Sequence, residues 1–382
     1  MSRIDDLIAE FAPLGVHHVV LSEVAGYSDT RVDAADLDEM SFIGVDNLLP
    51  NKVGKTEAIY LPNTARLTAY SPGDVLLGNI RPYLKKVWLA DGKGGCSGDV
   101  LAVRINDEYA LTLDAKFLYY LLSSDGFFAY NMQHAKGAKM PRGNKVAILN
   151  YRIPVPPLEV QREIVRILDQ FTQLEAELEA ELEARRLQYE HYRSSLLGFD
   201  ADTPVVPLGE LASIGTGSRN TNEAVPGGEF PFFVRSQEPL AIDAYEFDEQ
   251  AVITAGDGVG VGKVFHYVDG KYGLHQRAYR VVSTSERLVP RFLFHVFRAH
   301  FARYLEMTSV HASVTSLRKP MFEKYPIPVP SVEEQLQIVD LLDKFDALVN
   351  DLSVGLPAEL AARRKQYEYY RDRLLTFEEV VA

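Results

Sequence analysis

A long helical segment occurs twice in the chain, and this duplication constrains the fold more than any other feature. The first copy occupies residues 153–199 and the second occupies residues 327–377. Both copies begin with Ile-Pro-Val-Pro, place a glutamine five residues after the second proline (Gln161 and Gln335), and contain Ala-Arg-Arg-x-Gln-Tyr-Glu-x-Tyr-Arg. Because a repeat of this length indicates duplication of a structural unit, we expect two similar halves.

The first copy predicts one unbroken helix with an apolar stripe along one side. About 40 helical residues would span about 60 Å, which is too long for one small domain to bury, so the helix needs a partner helix. The second copy has four more residues, and its Gly355 and Pro357 predict a break. The stripe consists of Ile164, Leu168, Phe171, Leu174, Leu178 and Leu182.

The regions before the two copies are mixed, with short runs rich in Val, Ile, Tyr and Phe that predict strands separated by turns. The two halves align at shifts of 174 to 178 residues. We therefore predict an α+β fold of two similar mixed α/β lobes related by a pseudo-two-fold axis, with two long antiparallel helices as a coiled-coil spacer. The predicted strands are 41–48, 58–62, 75–80, 86–90, 100–105, 230–236, 251–254, 263–268 and 277–283, and the predicted shorter helices are 3–12, 113–133 and 290–306. The predicted domains are residues 1–152, 153–199, 200–326 and 327–382.

The net charge of −13 does not exclude a nucleic-acid partner, because most of it lies in the helical segments. Residues 157–198 and 331–382 carry net charges of −4 and −5, so the lobes are nearly neutral. The single cysteine, Cys96, excludes an intrachain disulfide framework and fits a reducing compartment. Because we find no signal peptide and no apolar run of membrane-spanning length, we expect a cytoplasmic protein that does not contact a membrane.

The sequence predicts no catalytic site and no metal site. The glycine-rich run at 256–263 lacks the residues of a phosphate-binding loop, since Asp257 stands where glycine is needed and Val264 where serine or threonine is needed. A tight turn is the better interpretation. Metal-ligand spacings, nucleophile motifs, methyltransferase motifs and helicase motifs are also absent from the sequence.

With these duplicated motifs, the chain resembles the specificity (S) subunit of Type I restriction–modification enzymes, a phage-defence system. The resemblance covers essentially the whole chain and is carried by the two Ile-Pro-Val-Pro-x-x-Glu-x-Gln helix starts, the two Ala-Arg-Arg-x-Gln-Tyr-Glu-x-Tyr-Arg helix ends, and the lobe–helix–lobe–helix order. It implies that each lobe is a target-recognition domain reading one half of a split site in double-stranded DNA. It further implies two methyltransferase (M) subunits and restriction/translocase (R) subunits as partners. S-adenosylmethionine and ATP with Mg would bind those partners, and no cofactor would bind this chain.

The resemblance also suggests a role for the repeated LEAE tetrapeptide at 174–184. In family members, four-residue repeats in the first helix act as a ruler for the gap between half-sites. One such unit adds about 6 Å, which corresponds to a base pair or two of B-DNA. The alternative is that LEAE only makes a stable amphipathic helix.

Candidate DNA-binding residues are basic or hydrogen-bonding side chains in predicted loops, for which ordinary solvation is the alternative. In the first lobe they are Arg81, Tyr83, Lys85, Lys86, Lys136, Lys139, Arg142 and Lys145. In the second lobe they are Lys263, His275, Gln276, Arg277, Ser313, Ser316, Arg318 and Lys319. Candidate partner-binding residues, for which helix packing is the alternative, are Tyr189, Tyr192, Tyr367 and Tyr370.

Two other classes of function compete with DNA recognition. A coiled-coil adaptor whose lobes bind protein predicts no salt-sensitive DNA affinity. An enzyme whose site is invisible in one sequence is the other possibility. The loops of the two lobes differ, with Pro-Arg-Gly-Asn at 141–144 against Leu-Arg-Lys-Pro at 317–320, so we expect an asymmetric DNA site.

Overall fold

The structure is a computed structural model that describes residues 3–308, 316–351 and 353–380. The chain forms two compact units, which we call unit 1 (residues 1–177 and 361–382) and unit 2 (residues 178–360). Both boundaries between the units fall inside the repeated helical segments. Each unit therefore combines one mixed lobe with parts of both segments. Within the described part of the chain, no helix is long and apolar enough to span a bilayer.

Unit 1 contains two four-stranded sheets and two strand pairs among its described residues. The sheets have the strand orders β3-β7-β10-β4 and β2-β11-β8-β9, and the pairs are β1-β12 and β5-β6. The strands are β1 His18–Val20, β2 Ala25–Tyr27, β3 Arg31–Asp33, β4 Phe42–Ile43, β5 Leu48–Leu49, β6 Gly54–Lys55, β7 Arg66–Tyr70, β8 Val75–Gly78, β9 Val87–Leu89, β10 Gly94–Cys96, β11 Val100–Ile105 and β12 Arg152–Pro154.

Side chains cap the N-termini of two successive helices in unit 1. Asp114 accepts hydrogen bonds from the backbone N–H groups of Lys116 and Phe117, and Ser124 accepts one from Phe127. Because Ser124 caps a second helix, the predicted 113–133 helix is divided as its Ser-Ser-Asp-Gly break predicts. The helices are α1 Arg3–Phe11, α2 Leu21–Val24, α3 Ala115–Leu122, α4 Asp125–His134, α5 Lys145–Leu149 and α6 Leu158–Leu196, of which α6 continues into unit 2.

Unit 2 contains one six-stranded sheet of order β14-β19-β17-β18-β15-β16 and the pair β13-β20. Its helices α7 and α8 are joined by a π-helical turn at Phe297–Phe301. The strands are β13 Val205–Pro207, β14 Ala212–Thr216, β15 Phe230–Phe233, β16 Leu240–Ile242, β17 Phe247–Ala255, β18 Phe265–Leu274, β19 Ala278–Ser283 and β20 Pro326–Pro328. The helices are α7 Pro290–Val296, α8 Ala302–Thr308, α9 Lys319–Glu323, α10 Val332–Asn350 and α11 Leu356–Leu374, of which α11 continues into unit 1.

The two units share one plan, which confirms the predicted α+β fold of two similar lobes. The order β2-β11-β8-β9 in unit 1 recurs as β14-β19-β17-β18 in unit 2. In both units the Ile-Pro segment before the long helix pairs antiparallel with the first strand of the lobe, as β12 on β1 and as β20 on β13. The duplication therefore extends to the pairing of strands.

The repeated glutamine explains why the helix starts are alike. Gln161 is fully buried, and its Nε2 donates to the carbonyls of Pro156 at 2.6 Å and Thr112 at 2.8 Å. Its Oε1 accepts from the N–H of Asp114 at 2.9 Å. One side chain thus joins the start of α6 to the segment before α3, where backbone groups would otherwise lack partners.

Gln335 makes the same three contacts in unit 2. It is also fully buried, and its Nε2 donates to the carbonyls of Pro330 at 3.0 Å and Arg287 at 2.8 Å. Its Oε1 accepts from the N–H of Val289 at 2.8 Å. The motif identified in the sequence is therefore a structural clamp between helix and lobe.

An aspartate on each long helix forms a second clamp. In unit 1, Asp169 of α6 accepts from Lys116 Nζ at 2.8 Å and from the hydroxyl of Tyr120 at 2.6 Å, both on α3. Asp169 is only half-buried, so the ion pair itself contributes little, and its geometry mainly fixes the position of α3 on α6.

In unit 2, Asp343 of α10 takes the place of that aspartate. It accepts from Arg291 Nε at 2.9 Å and from His295 Nε2 at 2.8 Å, both on α7. His295 is fully buried. Burial lowers the pKa of His295, although the adjacent Asp343 acts in the opposite direction. The imidazole is therefore a neutral donor to the carboxylate.

The helix predictions hold for both copies of the repeat. Helix α6 is unbroken over 39 residues, whereas the second copy is divided into α10 and α11, as Gly355 and Pro357 predict. Within unit 1, Phe171 of α6 packs on Tyr367 and Tyr370 of α11 with ring centroids 6.1 and 5.8 Å apart. Glu175 follows Phe171 in α6, and it pairs with Arg364, which precedes Tyr367 in α11. The two helices therefore run antiparallel in unit 1.

Three details of the sequence-based prediction are wrong. The predicted strand at 41–48 is interrupted, since β4 ends at Ile43 and β5 begins at Leu48. Residues 58–62 form no strand, and Ile59 and Tyr60 are exposed. Leu174 of the predicted apolar stripe is also exposed, whereas Ile164, Leu168 and Leu182 are buried. The stripe thus contributes to a core near the two ends of α6 but not in its middle.

Candidate nucleic-acid interface

Two loops of unit 1 that the sequence singled out lie side by side. One is the turn between β8 and β9, and the other connects α4 to α5. The N–H of Arg81 in the first loop donates to the carbonyl of Pro141 in the second at 2.7 Å. Lys136 and Arg142 exchange two backbone hydrogen bonds of 2.9 and 2.8 Å. The two predicted basic clusters of the first lobe therefore form one surface.

We call this the first basic surface. All of its side chains are exposed except that of Lys85, which is half-buried. Two carboxylates pair with it, Asp99 with Arg142 at 3.2 Å and Asp125 with Lys85 at 2.6 Å, so the cations outnumber the acids. The members are Arg81, Tyr83, Lys85, Lys136, Lys139, Arg142 and Lys145.

Lys86, which the sequence also suggested, lies beneath this surface. Its side chain is buried, and Nζ donates to the carbonyl of Val45 at 2.7 Å. A Cβ at Gly78 would lie 2.9 Å from the Cβ of Lys86, so the glycine makes room for the lysine stem. We therefore leave Lys86 out of the proposed interface, because its ammonium supports the loop from inside.

The turn between β8 and β9 carries backbone strain. Arg81 and Lys85 have φ values of 53° and 51°, in the left-handed region, and they flank a short helical turn at Pro82–Leu84. Among the described residues, the other non-glycine residues with positive φ are Asn51 and Lys52. The N–H of Lys52 donates to the carbonyl of Lys85 at 3.0 Å, so all four strained residues are neighbours. Strain concentrated in this way is typical of functional sites.

A close backbone approach holds the α4–α5 loop in place. The N–H of Gly143 donates to the carbonyl of Asn79 at 3.1 Å. A Cβ at Gly143 would lie 2.6 Å from Asn131 Oδ1 and 2.7 Å from Asn79 Oδ1, and both asparagines are buried. Only glycine lets the loop lie this close to the turn between β8 and β9.

In unit 2 the corresponding loops also meet. The N–H of Leu317 donates to the carbonyl of Gly256 at 2.7 Å, next to an antiparallel bridge between Asp257 and Ser316. The carboxylate of Asp257 accepts from Arg235 at 2.7 Å and from Arg277 at 3.1 Å. The hydrogen bond from Arg235 holds the pKa of Asp257 below its ordinary value, despite the opposing effect of burial. This carboxylate therefore remains charged and orients two guanidinium groups.

We call this the second basic surface. Arg235 was not identified from the sequence, because it lies in the predicted apolar strand 230–236 and only the fold brings it to Asp257. Gln276 donates to Asn220, which joins the loop after β14 to the same face. The members are Arg235, Lys263, Gln276, Arg277, Ser316, Arg318 and Lys319, and all of these side chains are exposed.

The two remaining candidates of the second lobe, His275 and Ser313, are not part of this surface. His275 is buried, and its Nδ1 accepts from the N–H of Arg277 at 3.0 Å. Burial lowers the pKa of His275, with the arginines Arg235 and Arg277 acting in the same direction. A neutral imidazole fits this acceptor role, so His275 supports the loop. Ser313 lies outside the described residues.

The four candidate partner-binding tyrosines take part in helix packing. Tyr189 is buried, and it and Tyr192 pack on Phe345 with ring centroids 6.4 and 5.2 Å apart. Tyr367 is half-buried against α6, whereas Tyr192 and Tyr370 keep more than a third of their surface exposed. Tyr192 and Tyr370 therefore retain surface that a partner can contact.

A family model and two relatives similar in sequence assign this chain to the same protein family. The family model described as "Type I restriction modification DNA specificity domain" matches residues 68–184 and again residues 201–362. The specificity subunit of the EcoR124I/EcoR124II type I restriction enzyme of Escherichia coli is 33% identical over 60% of this chain and 65% of that subunit. A putative type I restriction enzyme specificity subunit of Haemophilus influenzae is 31% identical over 69% of this chain and 73% of that protein.

Solved structures confirm the fold. A chain from a study of complex assembly and conformational transition of the type I R-M system superposes with a TM-score of 0.64 at 20% identity, covering 94% of this chain and 97% of that chain. The type I restriction-modification S subunit from M. genitalium superposes with a TM-score of 0.58 at 15% identity, covering 94% and 96%. The chain therefore belongs to the Type I restriction–modification DNA specificity family, whose members are non-catalytic and read the DNA target sequence.

Proposed function

We propose that this chain is the recognition subunit of a Type I restriction–modification complex and that its two basic surfaces each read one half of a bipartite, asymmetric DNA site. The first basic surface contacts one half-site and the second contacts the other. Side chains differ between them at equivalent positions, with arginine at 142 and serine at 316, so the two half-sites differ in sequence.

The observation that carries the proposal is the recurrence of one loop arrangement in both units. In unit 1 the turn between β8 and β9 meets the loop before α5, and in unit 2 the turn between β17 and β18 meets the residues just before α9. Exposed cations lie in all four segments. Exposed arginine and lysine on converging loops supply phosphate contacts, and arginine and glutamine supply hydrogen bonds to base edges.

We further propose that the helices fix the gap between the half-sites and dock two methyltransferase subunits, to which restriction/translocase subunits add. Tyr192 and Tyr370 are the candidate contacts on the helices, since they keep exposed aromatic surface. S-adenosylmethionine binds the methyltransferase subunits, and ATP with Mg binds the restriction subunits. The complex acts in the cytoplasm.

The proposal is tested with the chain assembled with its methyltransferase subunits. Lys139→Ala combined with Lys145→Ala removes two exposed cations from the first basic surface. If both contact phosphates, the slope of log affinity against log salt becomes shallower by about 2. The modification rate at the methylated site falls as well.

Arg66→Ala combined with Lys93→Ala is the matched control. Both side chains are exposed in unit 1 and belong to neither surface, so the salt slope and the modification rate stay at wild-type values. A wild-type complex whose DNA affinity does not depend on salt would refute DNA recognition and favour the adaptor. An equal effect of both double variants would remove the first basic surface from the interface.

A further inference from the structure

A single carboxylate in unit 1 joins the strained part of the first basic surface to a spacer helix. Asp125 begins α4, and its Oδ1 accepts from Lys85 Nζ at 2.6 Å and from Lys52 Nζ at 3.0 Å. Its Oδ2 accepts from Arg371 Nη2 on α11 at 2.6 Å. We propose that Asp125 is a positioning residue that holds the turn between β8 and β9 in its strained conformation and so presents Arg81 and Tyr83 to DNA.

Asp125 acts on residues whose backbone conformation is unfavourable. Lys52 and Lys85 both have positive φ, and the N–H of Lys52 donates to the carbonyl of Lys85. Non-glycine residues keep such conformations only when their surroundings hold them there. Here two of the four strained residues also bind the carboxylate, so their side chains tether the strained backbone to α4.

The second lobe solves the same backbone problem with glycine. In unit 2 the turn between β17 and β18 has positive φ at Gly258 and Gly262. These positions are four residues apart, as Arg81 and Lys85 are, and correspond to them at a shift of 177 residues. Since glycine adopts these angles without strain, the fold itself does not require cations at these positions. The side chains of Arg81 and Lys85 are therefore not needed to form such a turn, and the strain at these two residues requires a tether.

The described part of the second lobe contains no counterpart of the hydrogen bonds that Asp125 makes in the first lobe. At the positions that correspond to Asp125 and Arg371, unit 2 has Ala299 and Arg193, because Phe301 and Tyr304 pack on Tyr325 as Phe127 and Tyr130 pack on Tyr151. The residue after Ala299 is His300. His300 Nε2 bonds the carbonyl of Leu197 at 3.0 Å, and the guanidinium of Arg193 lies over the ring of Tyr189 at 5.4 Å. A lobe with the same fold therefore forms with a different contact at this position. The fold in general does not require a carboxylate here.

The ion pairs around Asp125 show which side chains lose a partner when its charge is removed. The side chain of Arg371 is 3% exposed and has a second acceptor, Asp372 at 2.9 Å. Among the described residues, Asp125 is the one carboxylate that pairs with Lys52 or Lys85. Burial acts to raise the pKa of Asp125, but the hydrogen bonds from Lys85 and Lys52 outweigh it and the pKa is lowered. Loss of the charge therefore releases the two lysines, whereas Arg371 keeps a partner.

The inference rests on the proposed function and is tested in the assembled methyltransferase complex by mapping methylated DNA. Arg81→Ala first identifies the half-site that unit 1 reads, because this variant should change the base preference in that half-site alone. We expect Asp125→Asn to relax base preference in that same half-site and to slow modification by about tenfold, the cost of one mismatched base pair. The bases of the other half-site stay unchanged.

Two further variants separate positioning from stability. Lys52→Met removes the tether from a residue outside the basic surface, so it should relax the same half-site. Asp169→Asn breaks a different ion pair in unit 1, with Lys116, and should leave the motif unchanged. A wild-type motif and rate in both Asp125→Asn and Lys52→Met, or equal loss at both half-sites, would overturn the inference. If the wild-type complex recognised no bipartite motif, the proposed function would fail instead.

Discussion

Deletion of one tetrapeptide from the middle of α6 tests the proposed ruler directly. Helix α6 is continuous over 39 residues, and residues 172–181 include no buried side chain. Deletion of Leu178–Glu181 therefore removes little packing. It shortens the helix by about 6 Å and changes its rotation by about 400°, which is one turn plus about 40°. At about 3.4 Å per base pair, we expect the gap in the recognised site to shrink by one or two base pairs.

The second helical copy should accommodate this change. Between α10 and α11, the described residues 351 and 353–355 lie outside both helices, so this copy is not a continuous rod. It already has four residues more than the first copy. Because a break can absorb a difference in length that an unbroken helix cannot, α6 is the element expected to set the gap.

The assay is a map of N6-methyladenine in host DNA after coexpression of each variant with the methyltransferase subunits. The deletion should keep the bases of both half-sites and change only the gap, and insertion of a further LEAE unit should lengthen it by the same amount. Leu178→Ala, which keeps the helix length, should leave the gap unchanged. An unchanged gap in the deletion variant, with methylation retained, would show that α6 is only a stable helix.

Three further predictions concern the framework and the loops. Gln161→Ala and Gln335→Ala each remove three buried hydrogen bonds, so each should lower the free energy of unfolding by about 2–4 kcal/mol in urea titrations; equal stability of both variants and wild type would contradict the clamp. Gly143→Ala places a Cβ 2.6 Å from a buried asparagine oxygen, and it should lower the melting temperature and reduce modification more than Ala138→Gly in the same loop does. The folded-state pKa of His295 is lowered, so the stability associated with its neutral form is present above the unfolded value of about 6.5 and is lost as pH falls below it. The urea midpoint should therefore fall less on acidification in His295→Gln than in wild type, and identical pH profiles would contradict a neutral buried imidazole.

The sequence was sufficient to predict the elements that depend on local signals. Helix α6 is rich in alanine, leucine and glutamate, which favour helix wherever they occur. The break before Leu356 follows from glycine and proline at that place. By contrast, residues 58–62 resemble a strand in composition, yet form none, because a strand requires a partner that local sequence does not specify.

The candidate site could be located but not resolved from the sequence. Clustering of lysine and arginine identified both loops, yet Lys86 is buried beside exposed neighbours because Gly78 makes room for it. Lys52 was missed because it reaches Lys85 only through the folded backbone. Arg235 was missed for the same reason. Charge pattern predicts which segments carry function, whereas the role of each cation depends on contacts between residues far apart in sequence.

The two units share a scaffold but differ in the turn that we propose contacts DNA. Both contain a buried glutamine and a helix aspartate that bind equivalent groups of the lobe, and these contacts join the long helix to the lobe. Within that frame, unit 1 places Arg81 and Lys85 at left-handed positions, and unit 2 places Gly258 and Gly262 there. A glycine turn tolerates change in its surroundings, whereas a strained cationic turn requires its counterion. Substitutions around the turn should therefore alter recognition more in the first half-site than in the second, and a scan of both turns against the methylated motif measures that asymmetry.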